Sequence, residues 1–290
     1  MPSTELVSAF RNDEARQRFL RHYESAFRKW PVPREELTVR TSFGRVHVHR
    51  SGDGPGTPAV LLHGLAVTSA MWHPNVGALA EHRQVYAVDL LGEQGCSVHE
   101  KPIRDWADSA EWIEEVFAEL GLDRAHLIGH SHGGWNAANY AVRYPSRLAG
   151  LTLLDPLGLG TISIRFPISV LRDLLALAAP RVLASRLSTG TLPTGTDILR
   201  LTRAVIRDFK IRLPKAGVLD DDQLRSLTMP TLVLLPEHSP VHDSRAVVAR
   251  LRALLPAADT EIFPGVGHNF VMTHPELVND RMVDFLAAAD

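Results

Sequence analysis

The sequence predicts an α/β fold in which a mostly parallel central sheet is flanked by helices. Short apolar runs, each too brief for a helix, alternate with helical patterns such as that of residues 106–120. Strands that are buried on both faces form continuous apolar runs, and helices between such strands favour parallel pairing. The apolar runs are residues 59–62, 84–88, 125–128, 151–154 and 231–235.

Length and composition are those of an ordinary globular protein. The 290 residues are 45% hydrophobic, enough for one large domain or two small ones. A formal net charge of -2 provides no electrostatic footprint for nucleic acid or an anionic membrane. The single cysteine, Cys96, cannot form an internal disulfide, and no apolar run reaches the roughly 18 residues of a membrane span. We therefore expect a cytoplasmic protein that binds neither nucleic acid nor membrane.

Residues 1–35 are predicted to form an N-terminal helical extension. Apolar side chains recur at near-helical spacing within residues 5–30. The two prolines of residues 30–33 end this helix, because proline disfavours helical backbone in the residue before it. A hairpin-like stretch at residues 37–49 and a turn rich in glycine and proline at residues 51–58 follow.

A long helical insertion separates two of the predicted core strands. More than seventy residues lie between the strand runs at 151–154 and 231–235, and they contain helical patterns but no convincing strand. The clearest of these patterns are residues 168–187 and 197–209. We therefore predict a core made of residues 36–156 and 228–290. A helical cap, residues 157–227, is inserted into it after the sixth core strand.

The segment Gly129-His130-Ser131-His132-Gly133 matches the pattern G-x-S-x-G. It directly follows an apolar strand run and opens a helical pattern, which is the strand–turn–helix setting of a nucleophile elbow. Such a turn presents its serine hydroxyl at the carboxyl end of the sheet, where ligands bind in open α/β folds. Ser131 is therefore the predicted nucleophile.

A serine hydroxyl needs a general base to be nucleophilic near neutral pH. In this architecture the chain order is serine, then acid, then histidine. His268 stands late in the chain, in a turn-rich loop after the strand-like residues 260–263. His268 is therefore the predicted base.

Backbone donors must meet the negative charge that develops on a carbonyl oxygen. The N–H of His132, directly after the nucleophile, is one predicted donor. Leu65, in the loop that follows the first apolar run, is the other. We expect the side chain of His63 in this loop to organise the backbone, not to react.

The ordered set of motifs resembles the α/β-hydrolase superfamily from about residue 37 to the end of the chain. The segments that carry the resemblance are His63-Gly64, Asp89-Leu90-Leu91-Gly92, Gly129 to Gly133 and Gly267-His268. The resemblance implies the α/β-hydrolase fold, with the insertion as the cap that family members place over the active site. The pair Glu93-Gln94 departs from the commoner form of its loop.

A narrower resemblance is to bacterial carboxylesterases of the naproxen-esterase-like subgroup, which cleave esters of bulky acids. It rests on Trp30-Pro31-Val32-Pro33, Phe43-Gly44-Arg45-Val46-His47-Val48, Met71-Trp72 and Tyr86-Ala87-Val88-Asp89. It implies an esterase reaction, with no cofactor, in which an acyl group is transferred to Ser131 and then hydrolysed.

The acid of the catalytic triad is the member for which alternatives remain. Most of the superfamily carries an aspartate a few residues after the penultimate strand, where this chain has Ser239. The esterase subgroup carries its acid at a displaced position that corresponds to Asp243, which we prefer, although Asp243 could instead cap the following helix. Asp155, after the preceding strand, and Glu237 are the alternatives. The acid would orient the histidine and stabilise its cation.

Two groups of side chains have metal-like spacing. His47 and His49 would share one face of a strand, and His238, His242 and Asp243 lie close in sequence. Neither group has convincing third and fourth ligands, so we expect no metal.

The predicted partner is a small-molecule ester with a hydrophobic character. Apolar cap residues favour an apolar pocket: Leu171, Leu174, Leu175, Leu177 and Ile198. A thioesterase, lactonase, amidase or acyltransferase would use the same triad, and a non-catalytic ligand-binding protein could keep the fold. A serine at position 131 argues against dehalogenases and epoxide hydrolases, which need a carboxylate there. The sequence leaves the oligomeric state open, and a homodimer is one possible state.

Overall fold

The computed structural model describes residues 6–179, 183, 186–189, 191 and 196–290. Within these ranges every apolar run predicted as a core strand lies in a strand, which confirms the predicted fold class. The strands are β1 (Ala9–Phe10), β2 (Glu35–Thr41), β3 (Gly44–Leu62), β4 (Arg83–Val88), β5 (Val98–His99), β6 (Ala125–His130), β7 (Leu148–Leu154), β8 (Phe209–Lys210), β9 (Thr231–His238) and β10 (Asp259–Gly267). The helices are α1 (Asp13–Phe27), α2 (Val76–Ala80), α3 (Trp106–Glu119), α4 (His132–Arg143), α5 (Arg165–Ala178), α6 (Thr196–Asp208), α7 (Asp221–Arg225), α8 (Ser244–Leu254), α9 (Phe270–Thr273) and α10 (Pro275–Ala289).

In the part of the chain that the structure describes, the central sheet has eight strands and is mostly parallel. Its main path runs β10–β9–β7–β6–β3–β2, and β4 and β5 also pair with β3. The pairs from β10 to β3 along this path are parallel, whereas β2 and β5 are antiparallel to β3. The carboxyl ends of β6, β7 and β9 therefore lie side by side at one edge of the sheet.

The stretch predicted as a turn, residues 51–58, lies within β3 as extended backbone, and the chain reverses its direction relative to β4 across it, as the turn predicted. The last residues of β3, 59–62, pair in parallel with residues 85–88 of β4, and the first half of β3 pairs with the same residues in the opposite order. β4 therefore lies between the two halves of β3. Glycine permits this close approach, since a Cβ on Gly54 would lie 2.1 Å from the carbonyl carbon of His82.

Helices cover both faces of the sheet, as expected for strands that are apolar throughout. One buried cluster packs α3, α4 and α8 against the sheet, and a second cluster packs α1, α2 and α10 against the other face. Among the described residues, no helix combines the length and apolar character that crossing a bilayer requires.

The segment between β7 and β9 contains α5, α6, β8 and α7. The pattern of residues 197–209 is confirmed by α6, and that of 168–187 in part by α5, since residues 180–182, 184 and 185 lie outside the described residues. Leu171 and Leu175 are exposed on α5. The side chains of Leu177 and Ile198 lie outside the described part, so the apolar pocket stays a prediction.

The N-terminal extension is paired with this inserted segment. β1 and β8 form a two-stranded antiparallel sheet, and α1 packs against α6. The Arg11 N–H donates to the carbonyl of Asp208 at 2.8 Å, and Arg18 forms an ion pair with the Asp208 carboxylate at 3.3 Å. The extension therefore holds the insertion to the rest of the molecule.

The extension is also held to the core by the hydroxyl of Tyr23. It donates to the buried carboxylate of Asp89 at 2.7 Å, and the ring nitrogen Nε2 of His49 lies 2.7 Å from the same hydroxyl. Asp89 further accepts from the N–H and hydroxyl of Ser69 and from the N–H of Cys96. Burial raises the pKa of Tyr23 well above its ordinary value and lowers the pKa of His49 to about 4, so both groups are neutral near neutral pH.

Substitution of Tyr23 by phenylalanine removes the hydroxyl between two buried polar groups. We expect Tyr23→Phe to lower the free energy of unfolding by about 1–3 kcal/mol, because Asp89 and His49 each lose a partner away from water. Urea denaturation measures this change. The control is Tyr144→Phe, at a half-buried tyrosine beyond the end of α4, where we expect a change within about 0.5 kcal/mol. Equal effects of the two substitutions would contradict the role assigned to Tyr23.

Candidate active site

Ser131 occupies a sharp turn between β6 and α4. Its backbone has φ 54° and ψ -115°, a conformation that costs a non-glycine residue about 1–3 kcal/mol. Hydrogen bonds hold it there: its N–H donates to the carbonyl of Leu154 at 3.0 Å. Its own carbonyl accepts from the N–H groups of Trp135 and Leu157 at 3.0 and 3.1 Å. The strained turn is therefore fixed by neighbouring backbone.

The two flanking glycines of the motif are required by close packing. A Cβ on Gly129 would lie 2.4 Å from the carbonyl oxygen of Gly133. A Cβ on Gly133 would lie 2.3 Å from the carbonyl oxygen of Leu62, at the end of β3. Because only glycine fits at both positions, α4 can begin directly against the sheet.

The structure brings Ser131 and His268, both predicted from the sequence, into hydrogen-bond contact. The Ser131 hydroxyl oxygen lies 3.0 Å from Nε2 of His268. The other ring nitrogen of His268, Nδ1, lies 2.6 Å from a carboxylate oxygen of Asp155. All three residues are buried. This arrangement can move a proton from the hydroxyl to an imidazole that a carboxylate orients.

The expectation for Asp243 is corrected, since the acid in contact with His268 is Asp155. The carboxylate of Asp243 accepts from the N–H groups of Arg245 and Ala246 at 2.9 and 3.1 Å and so caps α8. Sequence reasoning kept this capping role as the alternative for Asp243. Asp155 reaches the histidine because β7 lies directly beside β6 in the sheet, which places its last residues next to the serine turn.

Asp155 is surrounded by hydrogen-bond donors. The hydroxyl of Ser239 lies 2.9 and 3.0 Å from the two carboxylate oxygens. Nε2 of His242 lies 3.4 Å from one of them, but its hydrogen bond is to the carbonyl of Pro156 at 3.2 Å. Burial by itself raises the pKa of Asp155, but the hydrogen bonds and charges of its neighbours, chiefly His268 with His242 and Ser239, together outweigh burial and hold the pKa below its ordinary value. The third candidate, Glu237, instead accepts from a backbone N–H in β10.

The loop that carries His268 is held from two sides. The ring of His130 lies against it, and burial lowers the pKa of His130 to about 3, so this imidazole is neutral. Its Nε2–H donates to the carbonyl of His268 at 3.0 Å. On the other side, the amide of Asn269 donates to the carbonyl of Thr191, in the inserted segment. The loop that carries the base is therefore in contact with both core and insertion.

The loop after β3 passes next to the serine. A Cβ on Gly64 would lie 3.3 Å from the Cβ of Ser131. The buried ring of His63 accepts from the N–H of Leu90 at 3.0 Å and donates to the carbonyl of Gly64 at 2.8 Å. These bonds fix the loop, which is the role expected for His63. Leu65, a predicted oxyanion donor, is the next residue.

Sequence reasoning missed a contact between Glu93 and the side chain of His132, whose backbone N–H is one of the two predicted oxyanion donors. Nδ1 of His132 lies 2.5 Å from a carboxylate oxygen of Glu93, which is buried. The other oxygen of Glu93 lies 3.9 Å from Nδ1 of His63. His132 begins α4, so its backbone N–H has no acceptor within the helix. The only signal in the sequence was that Glu93 departs from the commoner family form.

The structure brings together the ligand atoms of one of the two groups of side chains that have metal-like spacing in the sequence. In the described part of the chain, His238, His242 and Asp243 do not form a cluster of ligand atoms, whereas His47 and His49 do, together with Glu36. That cluster lies on the β2–β3 hairpin.

Comparisons with known proteins agree with this geometry. The model of the alpha/beta hydrolase family matches residues 59–281. Carboxylesterase YbfK of Bacillus subtilis is 30% identical over 283 residues, which cover 94% of this chain and 95% of the relative. The crystal structure of naproxen esterase from Bacillus subtilis superposes with a TM-score of 0.84 at 28% identity, covering 94% of this chain and 98% of that one.

The family resemblance predicted from the motifs is therefore confirmed. It covers nearly the whole chain at the level of both sequence and fold. The chain belongs to the alpha/beta hydrolase family, and it is an esterase-like hydrolase that resembles the bacterial carboxylesterases.

Proposed function

We propose that this chain is a serine carboxylesterase that hydrolyses esters of hydrophobic small molecules through an acyl-enzyme on Ser131. The observation that carries the proposal is the continuous hydrogen-bonded series from the hydroxyl of Ser131 through the ring of His268 to the carboxylate of Asp155. Such a series turns a weakly nucleophilic hydroxyl into one that can attack an ester carbonyl.

In the first half of the reaction, the hydroxyl oxygen of Ser131 attacks the carbonyl carbon while Nε2 of His268 accepts the hydroxyl proton. The carboxylate of Asp155 keeps the remaining ring proton on Nδ1 and stabilises the imidazolium. Ser239 supports this role, because its hydroxyl donates to the carboxylate and favours the charged form.

The tetrahedral intermediate places a negative charge on the former carbonyl oxygen. The backbone N–H groups of His132 and Leu65 are the proposed donors to it. The intermediate collapses as the His268 imidazolium gives its proton to the leaving alcohol. A water molecule, deprotonated by the same imidazole, then attacks the acyl-enzyme and releases the acid.

The proposed substrate is a hydrophobic ester with a bulky acyl group. The apolar side chains of α5 and the half-exposed Leu65 beside the nucleophile support an apolar substrate. The similarity to a protein named naproxen esterase supports a bulky acid. Thioesters, lactones and acyl acceptors other than water would use the same groups, so a substrate panel must include them.

Ser131→Ala tests the nucleophile. We expect the wild-type protein to be labelled by a fluorophosphonate probe and to turn over p-nitrophenyl esters. Ser131→Ala should lose the label and at least about 10⁴-fold in kcat, because the group that forms the acyl bond is gone. The exposed Ser226 provides the control variant Ser226→Ala, which should behave as wild type. A wild-type protein that shows neither labelling nor turnover of any ester or thioester would identify a non-catalytic member of the family.

Two aspartate variants test the identity of the acid. Asp155→Asn should lower kcat by about 10⁴-fold, because an amide in place of the carboxylate no longer stabilises the histidine cation or its tautomer. Asp243→Asn should keep kcat within about twofold, since asparagine caps a helix as well as aspartate. Steady-state kinetics on one p-nitrophenyl ester measure both. The reverse order of effects would restore Asp243 as the acid.

Variants of Glu93 test whether this residue positions the oxyanion donor. Glu93→Ala removes the acceptor for the ring of His132 and should lower kcat by about 10- to 100-fold with little change in KM, because the adjacent N–H loses its alignment. Glu93→Gln keeps an acceptor oxygen and should retain most of the activity. Thermal unfolding of both variants separates this effect from a loss of folded protein. Unchanged kcat in folded Glu93→Ala contradicts the positioning role.

A further inference from the structure

Three side chains of metal-ligand type face one another on the β2–β3 hairpin. His47 and His49 are two residues apart on β3 and therefore lie on the same face of the strand. Glu36, on β2, is the direct cross-strand neighbour of His49. The ligand atoms of the three side chains all lie within 4.8 Å of one another, and Nε2 of His47 is 3.9 Å from a carboxylate oxygen of Glu36.

Each of the two imidazoles has one buried nitrogen without a hydrogen-bond partner. These atoms are Nε2 of His47 and Nδ1 of His49. The side chain of His49 is completely buried, and that of His47 is 13% exposed. A buried polar atom without a partner costs about 1–3 kcal/mol, so two such atoms on neighbouring rings, one of them 3.9 Å from a Glu36 carboxylate oxygen, call for an explanation.

The hydrogen bonds of His49 determine which of its nitrogens carries the proton. Tyr23 has one hydroxyl proton and donates it to the carboxylate of Asp89. The Nε2 of His49, 2.7 Å from the same hydroxyl oxygen, must therefore be the donor to it. A neutral imidazole with its proton on Nε2 has a lone pair on Nδ1, which is the form that can bind a metal ion. A donor bond from the far nitrogen to a carboxylate-linked group is how proteins orient a metal-ligating histidine.

The distances between the three ligand atoms are close to those found around a bound transition-metal ion. A tetrahedral Zn²⁺ ion, with bonds of about 2.0–2.2 Å, holds its ligand atoms about 3.4 Å apart. The pair of His47 and Glu36, at 3.9 Å, would have to close by about 0.5 Å, and since all three ligand atoms lie within 4.8 Å of one another, no pair would have to close by more than about 1.4 Å. Glu36 can make most of this movement, since its side chain is 54% exposed at the surface.

The charges around the three side chains are compatible with a cation. Glu36 supplies one negative charge, and the buried carboxylate of Asp89 lies behind Tyr23. Among the described residues, the cation paired with Glu36 is Arg34, whose guanidinium lies 3.3 Å from one carboxylate oxygen and over the ring of Phe27. The other oxygen of Glu36 faces His47 and stays available as a ligand.

We propose that Glu36, His47 and His49 form a binding site for one divalent transition-metal ion of the Zn²⁺ class, with water as the remaining ligand. Two imidazoles and one carboxylate are ligands that Zn²⁺ and Co²⁺ accept readily, whereas Mg²⁺ and Ca²⁺ prefer oxygen alone. The Nε2 of His49 also contacts the hydroxyl of Tyr23 on α1. By fixing the ring of His49, the bound ion strengthens the contact between the hairpin and α1.

Direct metal binding tests the site without reference to catalysis. Full-length protein is treated with EDTA, dialysed and titrated with Zn²⁺ by isothermal calorimetry. We expect one ion per chain and a midpoint of thermal unfolding that rises with Zn²⁺ concentration, because the ion binds the folded state. With Co²⁺ we expect the strong visible bands of a four-coordinate site.

Two variants test the proposed ligands, and a third serves as the control. His47→Gln and Glu36→Gln change partly exposed side chains, so the fold should be kept, and each should weaken Zn²⁺ binding by at least about tenfold and abolish the thermal shift. The exposed His82 supplies the control His82→Gln, which should bind as wild type. The proposal is wrong if the wild type binds no stoichiometric Zn²⁺. It is equally wrong if His47→Gln binds the ion as tightly as the wild type. Ester turnover is measured separately, so a failure here leaves the proposed esterase untouched.

Discussion

The start of α4 lies so close to the ends of β3 and β6 that no side chain fits between them, and the reactive geometry depends on this approach. Gly129 and Gly133 allow the contact, and the backbone of Ser131 takes up the sharp change of direction. The strain of Ser131 persists because three backbone hydrogen bonds hold it. The same contact fixes the first N–H of α4, the proposed oxyanion donor of His132, directly after Ser131.

The order of the strands decides which acid reaches the histidine. β7 lies between β6 and β9, so Asp155 leaves the sheet beside the serine turn, and Ser239 leaves it one strand further on. A second carboxylate at position 239 would lie about 3 Å from the first, and like charges at that distance cannot both ionise. Because the acid follows β7, position 239 suits a serine, whose hydroxyl donates to Asp155, better than a second carboxylate.

The N-terminal extension takes part in the same construction. Tyr23 of α1 binds Asp89, and the next residue, Leu90, donates its N–H to the ring of His63 that shapes the loop beside Ser131. A short series of buried contacts thus runs from the extension to the predicted oxyanion loop. The proposed metal ion would be bound at the outer end of this series, on the far side of His49.

Local patterns in the sequence were sufficient for the sheet, the serine turn and the late histidine loop, because each depends on neighbouring residues. Apolar runs, glycine spacing and a turn-rich loop are all visible within about ten residues. The reversal of the chain at residues 51–58 was visible in the same way, but the extended backbone of these residues within β3 was not, since it depends on β4 packing between the two halves of β3.

The acid, the Glu93 contact and the grouping of Glu36 with two histidines were decided only by tertiary structure. His268 and Asp155 are separated by 113 residues, and Glu93 and His132 by 39. Asp155 and Asp243 are both aspartates beside a strand end, and nothing in their local sequence separates an acid that orients a histidine from one that caps a helix. The difference is which strand stands next to the serine, and that is determined by the packing of the whole sheet.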